Sequence, residues 1–269
     1  MGDHQAMTQA RKRTTRKGDV PSQNKKRKRR KKSHFFLNFF IVIALLTGLG
    51  FFAASDFFAI DKISVIHNNN YTKDEIVALS KIKTGRNIFW FYLHKGDVRK
   101  TMEGDSYIDT VKVGIKLPGT VILDVDERAE MAAVPLDNKY ILIDKEGYVL
   151  RTTDKEPKLT LLVGLTITGM EEGHTLSVEQ KSLFAETLTM LNTMESSDLF
   201  FKRIDISDVV IKAYIYDKLI CKGTPENILE SMNSGNLQII LYDLYKKEIS
   251  HGTINVGADK VCSFSPTIE

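Results

Sequence analysis

The chain has 269 residues, with 38 Lys and Arg against 34 Asp and Glu, for a formal net charge of +4. Residues 1–34 hold 13 of the bases against only Asp3 and Asp19, so this stretch is +11 and the rest of the chain is −7. That division excludes a uniformly basic nucleic-acid-binding domain and describes a basic tail on an acidic body. The body, in a chain that is 42% hydrophobic with 6 Pro and 17 Gly, is neither disordered nor collagen-like.

Residues 1–34 contain no apolar run, and Lys25 to Lys32 is an unbroken basic block. Such a stretch cannot bury enough apolar area to offset chain entropy, so a disordered tail is expected. Phe35 to Ala54 follows without a single charge and carries six Phe, four Leu, two Ile and one Val. A helix of that length reaches about 30 Å, the thickness of the bilayer hydrocarbon. A transmembrane helix is expected over 35–56. A cleavable signal peptide has a shorter apolar region and a far shorter basic flank. Lys and Arg crowd the flank before the span, and Asp56 and Asp61 follow it. The positive-inside rule then puts residues 1–34 in the cytoplasm and the body across the membrane, a single-pass type II arrangement. Beside a span, attraction to anionic lipid explains the basic block better than nucleic-acid binding does.

Ile60 to Ile66 is rich in β-branched residues and ends at Asn68-Asn69-Asn70. Thr72 and Glu75 then form a capping-box pattern, opening a helix with Ile76, Leu79 and Ile82 on one face. The aromatic run Phe89-Trp90-Phe91-Tyr92 reads as core filling, with a second helix expected from His94 to Met102. Val111, Val113 and Ile115 alternate with polar or small positions, as do Val121, Leu123 and Val125. Leu117-Pro118-Gly119-Thr120 between them predicts a type II turn. The order β-α-α-β-β over 57–128 is a small α+β module, two helices on one face of a three-stranded sheet.

Beyond residue 128, Tyr140–Ile143 and Tyr148–Leu150 flank Asp144-Lys145-Glu146-Gly147, a hairpin pattern. Leu159–Leu165 predicts a buried strand. Ser177-Val178-Glu179-Gln180 predicts a second capping box, opening a helix to about Met194. Strands are expected at 201–206, 209–216 and 218–222. Thr224-Pro225 starts a helix whose stripe continues past Gly235 through Leu237, Ile240, Leu241 and Leu244. Gly252–Val256 and Lys260–Phe264 close the chain as strands. Residues 129–269 are thus expected to form a mainly antiparallel β-rich domain with helices.

Chemistry is sparse. None of the six His residues has a His, Cys, Asp or Glu partner at metal-ligand spacing, and no HExxH, GxSxG, GxxxxGK[ST] or GxGxxG pattern occurs. Asp124, Asp126 and Glu127 cluster on a strand and read as a solvated edge, with Glu127-Arg128 as a structural ion pair or hinge. Cys221 and Cys262 fall on predicted strands, where they are either a disulfide pair or two core thiols. No catalytic, cofactor or metal site is expected.

The order of parts resembles the FtsQ/DivIB family of bacterial cell-division proteins. The resemblance rests on Phe58-Ala59-Ile60-Asp61-Lys62-Ile63 with Asn68, and on Thr84-Gly85-Arg86-Asn87-Ile88-Phe89. It continues through Lys116-Leu117-Pro118-Gly119-Thr120, Val125-Asp126-Glu127-Arg128 and Ile143-Asp144-Lys145-Glu146-Gly147-Tyr148-Val149-Leu150. Two departures are Val163-Gly164, where Pro-Gly is usual, and Glu130-Met131-Ala132-Ala133 after Glu-Arg. The resemblance implies a POTRA-like module at 57–128 and a non-catalytic scaffold of the divisome, located at the division septum. It implies binding to FtsL and FtsB/DivIC-type coiled-coil membrane proteins, with a septal transpeptidase or glycosyltransferase nearby. By position the partner surface falls within Thr253–Phe264, with Ile254, Asn255, Val256, Val261 and Phe264 as candidates; an edge strand there could accept a partner strand. Val111 and Val113, on the segment to Ile115, are candidates for docking other division proteins. The competing expectation is a membrane-anchored extracytoplasmic cell-wall enzyme, which needs a nucleophile-base or metal constellation.

Overall fold

The computed structural model describes residues 34–194 and 196–267. The basic tail expected to be disordered, residues 1–34, lies outside them except for His34. The described chain separates into two compact units, with the boundary between Leu49 and Gly50. Helix α1 (Phe35–Ala53) has 19 residues, no charged side chain and no buried residue; it is long and apolar enough to cross a bilayer. The helix ends at Ala53, within the stretch 35–56 expected to span the membrane. A single 3₁₀ turn, Asp56–Phe58, follows.

The first module runs β1 (Lys62–Ile66), α2 (Lys73–Ser80), α3 (Ile88–Met102), β2 (Ile108–Lys116) and β3 (Thr120–Glu127). Its sheet has the order β1-β3-β2, with β1 parallel and β2 antiparallel to the central β3. Ile60, Val65, Ile76, Ile88, Met102, Val111, Val121, Leu123 and Val125 form its core. The α2 capping box is complete. Thr72 Oγ1 accepts from the Glu75 amide at 3.3 Å, and the Thr72 amide donates to Glu75 Oε2 at 2.8 Å. These bonds hold the Glu75 carboxyl below its ordinary pKa.

Two expectations fail in this module, each for a local reason. First, α3 begins at Ile88 rather than His94, because Asn87 Oδ1 accepts from the amides of Phe89 and Trp90 and caps the helix there. Helical spacing turns only Ile88 and Phe91 of the aromatic run into the core, leaving Phe89, Trp90, Tyr92 and Leu93 exposed. Second, the 117–119 turn is not type II. The Leu117–Pro118 peptide is cis and Gly119 does not take a positive φ. Gly119 is needed for close approach instead. Its carbonyl accepts from the amides of Asp61 and Lys62, and a Cβ there would collide with the Ala59 carbonyl oxygen.

The second module contains β4 (Ala132–Leu136), β5 (Lys139–Ile143), β6 (Val149–Thr153), β7 (Thr160–Val163), β8 (Ile167–Gly169), β9 (Ser177–Val178) and α4 (Lys181–Asn192). It continues with β10 (Arg203–Asp205), β11 (Ile211–Tyr216), β12 (Lys218–Gly223), α5 (Pro225–Ser234), α6 (Asn236–Lys246), β13 (His251–Val256) and β14 (Cys262–Ser265). Nine strands form one sheet in the order β14-β13-β12-β11-β10-β7-β4-β5-β6. Five of its eight neighbouring pairs are antiparallel, which makes the whole chain α+β with a mainly antiparallel second sheet. The core joins Val134, Ile141, Ile143, Leu162, Ile204, Ile211 and Ile254 of the sheet to Phe184, Leu188 and Leu191 of α4 and Ile228 and Met232 of α5. The capping box expected at Ser177–Gln180 does not form. Ser177 and Val178 pair with β8, and Gln180 Oε1 accepts from the Thr166 amide, so α4 starts at Lys181 without a side-chain cap. The Thr224 cap of α5 is present, with Thr224 Oγ1 accepting from the Asn227 amide at 3.2 Å.

Candidate interaction surfaces

The two modules meet around Arg128, the first residue after β3. Its guanidinium donates to Asp109 of β2 at 2.5 Å, and to Asp144 at 2.5 Å and Glu146 at 3.1 Å in the β5–β6 turn. It also lies 4.1 Å over the Tyr148 ring. Asp144 is itself buried, and it accepts the amides of Glu146 and Tyr148, so the turn and the ion pair are one assembly. Partial burial works against the charged guanidinium, but the bonds to Asp144 and Glu146 outweigh it and the pKa moves up. Glu127, one residue earlier, accepts the successive amides of Asn69, Asn70 and Tyr71 at 3.1, 2.6 and 3.2 Å and ties down the loop after β1.

A second set of bonds runs beside the first. Tyr107 donates to Glu130 at 2.5 Å, Arg151 of β6 donates to both Tyr107 Oη and Glu130, and Ser106 donates to the Leu150 carbonyl at 2.6 Å. Burial, then the bond to Glu130, pushes the Tyr107 hydroxyl up to about 12. The structural ion pair expected at Glu127-Arg128 is therefore two separate devices, one inside the first module and one across the joint. Asp124 pairs with His67 at 2.7 Å on the surface.

The opposite end of the large sheet is β14, paired to β13 on one side; no described strand pairs with its other side. Phe264 of β14 packs over Gly252, where φ is +124° and a Cβ would strike the ring. Val261 lies just outside β14 and is 62% exposed, and Asn255 and Phe264 are half-buried. Ile254 and Val256 correct the expectation placed on them. They sit on an interior strand and point into the core, so their side chains cannot meet a partner. Val111 is likewise a core residue, because its alternation faces the helices; Val113 beside it on the edge strand β2 is half-buried. Cys221 and Cys262 are free thiols, on β12 and β14 with β13 between them; burial raises the Cys221 pKa. Cys262 Sγ lies 2.9 Å from Ser231 Oγ.

One surface escaped the sequence reading. Ile239, Tyr242 and Tyr245 recur at helical spacing on the outer face of α6 and are exposed. The two tyrosines line a cleft of about 1190 Å³ with Phe200, Tyr216, Leu241 and Ile249. A second apolar stripe offset from the core stripe of α6 was its signal. Among the described residues, no group of three or more His, Cys, Asp and Glu side chains could hold a metal ion.

A three-stranded sheet under two helices, entered just after an apolar helix, defines a POTRA-type module, and residues 58–128 match the family described as POTRA domain, FtsQ-type. The chain is 31% identical over 196 residues to the cell division protein DivIB of Clostridium botulinum, covering 71% of this chain and 75% of that one. It is 28% identical over 195 residues to DivIB of Clostridium acetobutylicum, covering 71% and 78%. It is 30% identical over 162 residues to the cell division protein FtsQ of Syntrophotalea carbinolica, covering 60% and 55%. The chain belongs to the FtsQ/DivIB family of cell division proteins. With α1, this describes a membrane-anchored division protein.

Proposed function

We propose that the protein is a non-catalytic, bitopic scaffold of the divisome, with residues 1–34 in the cytoplasm, 35–56 spanning the membrane, and the modules at 57–128 and 129–269 outside at the septum. Its partners are coiled-coil membrane proteins of the FtsL and FtsB/DivIC type, and through them the septal peptidoglycan synthases. The observation that carries this reading is the position of β14 at the open end of the nine-stranded sheet. An edge strand offers main-chain donors and acceptors to an incoming strand, while flanking side chains set specificity. Of the candidates near that edge, Asn255, Val261 and Phe264 are not fully buried, and Val113 marks the second, weaker edge on β2.

Co-purification from membranes tests this. The full chain is expected to retain the two coiled-coil partners, and Val261→Asp to lower capture by about tenfold or more, the range of a central apolar contact. A full chain that captures neither partner, or a Val261→Asp variant that captures both as well as the parent, refutes the assignment of this edge. A fluorescent fusion spread evenly around the cell would refute the septal role.

A further inference from the structure

Four exposed apolar side chains of the first module, Phe89, Trp90, Tyr92 and Leu93, gather at the start of one helix. Helix α3 buries the stripe Ile88, Phe91 and Met102, with Val98 half-buried. Its outer face then changes character along its length. The first turns expose Phe89, Trp90 at 50%, Tyr92 and Leu93 at 79%, whereas His94, Gly96, Asp97, Arg99 and Lys100 occupy the exposed positions that follow. The apolar end lies beside the last turn of α1. Asn87 Nδ2 donates to the Ala53 carbonyl at 2.7 Å, and Phe52, Phe57, Phe58 and Phe89 join ring to ring with centroids 4.9–5.8 Å apart. Trp90, one helical turn beyond Asn87, lines a cleft with Gly50, Ala53 and Ala54 where the chain leaves its apolar helix.

Cations frame these rings. Arg86 lies 5.4 Å from the Trp90 centroid and Lys95 lies 4.1 Å from that of Tyr92. Lys81, Lys83 and Arg86 share a small cleft with Trp90, in which Asp97 is the acid; Asp56 and Asp61 are the acids on the segment that follows the apolar helix. Indole and phenol rings with an adjoining Leu, flanked by Lys and Arg, form the composition that settles where hydrocarbon meets headgroups. The cations complement lipid phosphates, and the rings replace the water they would otherwise order.

We propose that the head of α3, through Trp90, Tyr92 and Leu93, docks on the interfacial layer of the bilayer beside the end of α1 and holds the first module against the membrane. The occupant is the lipid surface itself. No protein partner is required, because the patch is joined by hydrogen bond and ring contact to the residues that leave the apolar helix. The inference rests on the reading of α1 as a membrane anchor.

Trp90 is the single tryptophan of the chain, so its emission reports on this patch alone. The full chain is reconstituted in vesicles of phosphatidylcholine and phosphatidylglycerol whose acyl chains carry bromine either close to the headgroup or near the bilayer centre. Flotation with the vesicles reads the anchor, and Trp90 quenching reads the docking. The expected result is flotation with strong quenching by shallow bromine and much less by deep bromine. In Tyr92→Gln/Leu93→Glu the same flotation is expected, with most of the shallow quenching lost. Both positions are exposed, and an unchanged circular dichroism spectrum confirms the fold. Flotation with an unquenched, water-exposed Trp90 overturns the docking and leaves the anchor standing. Quenching that the double variant does not relieve also overturns it, since proximity by tether would then suffice. Failure to float overturns the anchor instead.

Discussion

The two ends of the nine-stranded sheet are finished in opposite ways. At β6 the sheet is closed off. Ser106 of the first module donates to the Leu150 carbonyl, the 173–174 loop exchanges main-chain bonds with Val149, and Arg151 binds Glu130 and Tyr107. At β14 no described strand pairs with the outer side, and the side chains near it are a mixture of half-buried and exposed. An edge covered within the chain is unavailable for recognition, and an edge left open is an aggregation hazard unless something covers it. The contrast teaches that one sheet is tied into the inter-module joint at one end and leaves a strand edge without a described partner strand at the other.

The contrast can be broken most severely at the joint. Arg128→Met removes the partner of buried Asp144 together with the links to Asp109 and Glu146. Stranding one member of a buried pair costs about 3–5 kcal/mol, so urea unfolding should show a loss of that order, with Arg128→Lys losing less. At the open end, Ile254→Ala should cost about 2–4 kcal/mol, because the residue is fully buried beneath the edge strand. Val261→Asp should leave the same unfolding midpoint within about 0.5 kcal/mol. If the two variants destabilised equally, the distinction between core and docking positions at this end would fall.

Smaller effects sharpen the picture. Thr72→Ala removes the α2 cap and should cost about 1 kcal/mol in thermal unfolding, confined to the first module. The smallest is a pH effect at the joint. The Tyr107 hydroxyl is held above its ordinary value of 10.0, at about 12. A raised folded-state pKa contributes stability that is complete below the ordinary value and is lost as pH rises through the folded one. Tyr107→Phe should therefore flatten the alkaline limb of the stability curve between those limits and leave neutral pH behaviour less altered. An unchanged limb would show that the hydroxyl titrates as in the unfolded chain.

Local chemistry was legible in the sequence and distant pairing was not. The caps at Thr72 and Thr224, the alternating strands β2 and β3, and the β5–β6 hairpin all depend on neighbours a few residues away. Strand β4 has no counterpart among the expected strands; it carries Pro135, a residue depleted in strand interiors, which pairs with Tyr140. The order β10-β7-β4 follows from parallel pairings between segments far apart in the chain, and these leave no periodic trace. Ser177–Gln180 has the letters of a capping box, but Gln180 is drawn to the Thr166 amide, a competitor outside the local window. For the candidate surface, position along the chain named residues of β13, β14 and the turn between them. The division of Ile254 and Val256 from Val261 and Phe264 needed the register of β13 against β14.

The sheet is also a ruler. Eight inter-strand steps separate β6 from β14, and at about 4.8 Å each they set the open edge roughly 38 Å along the sheet from the Arg128 joint, somewhat less with twist. A strand added at β14 would continue that lattice rather than hang from a flexible arm. Its distance from the joint would then be set by hydrogen-bond geometry, and lengthening loops would leave it unchanged whereas removing a strand would shorten it by one step.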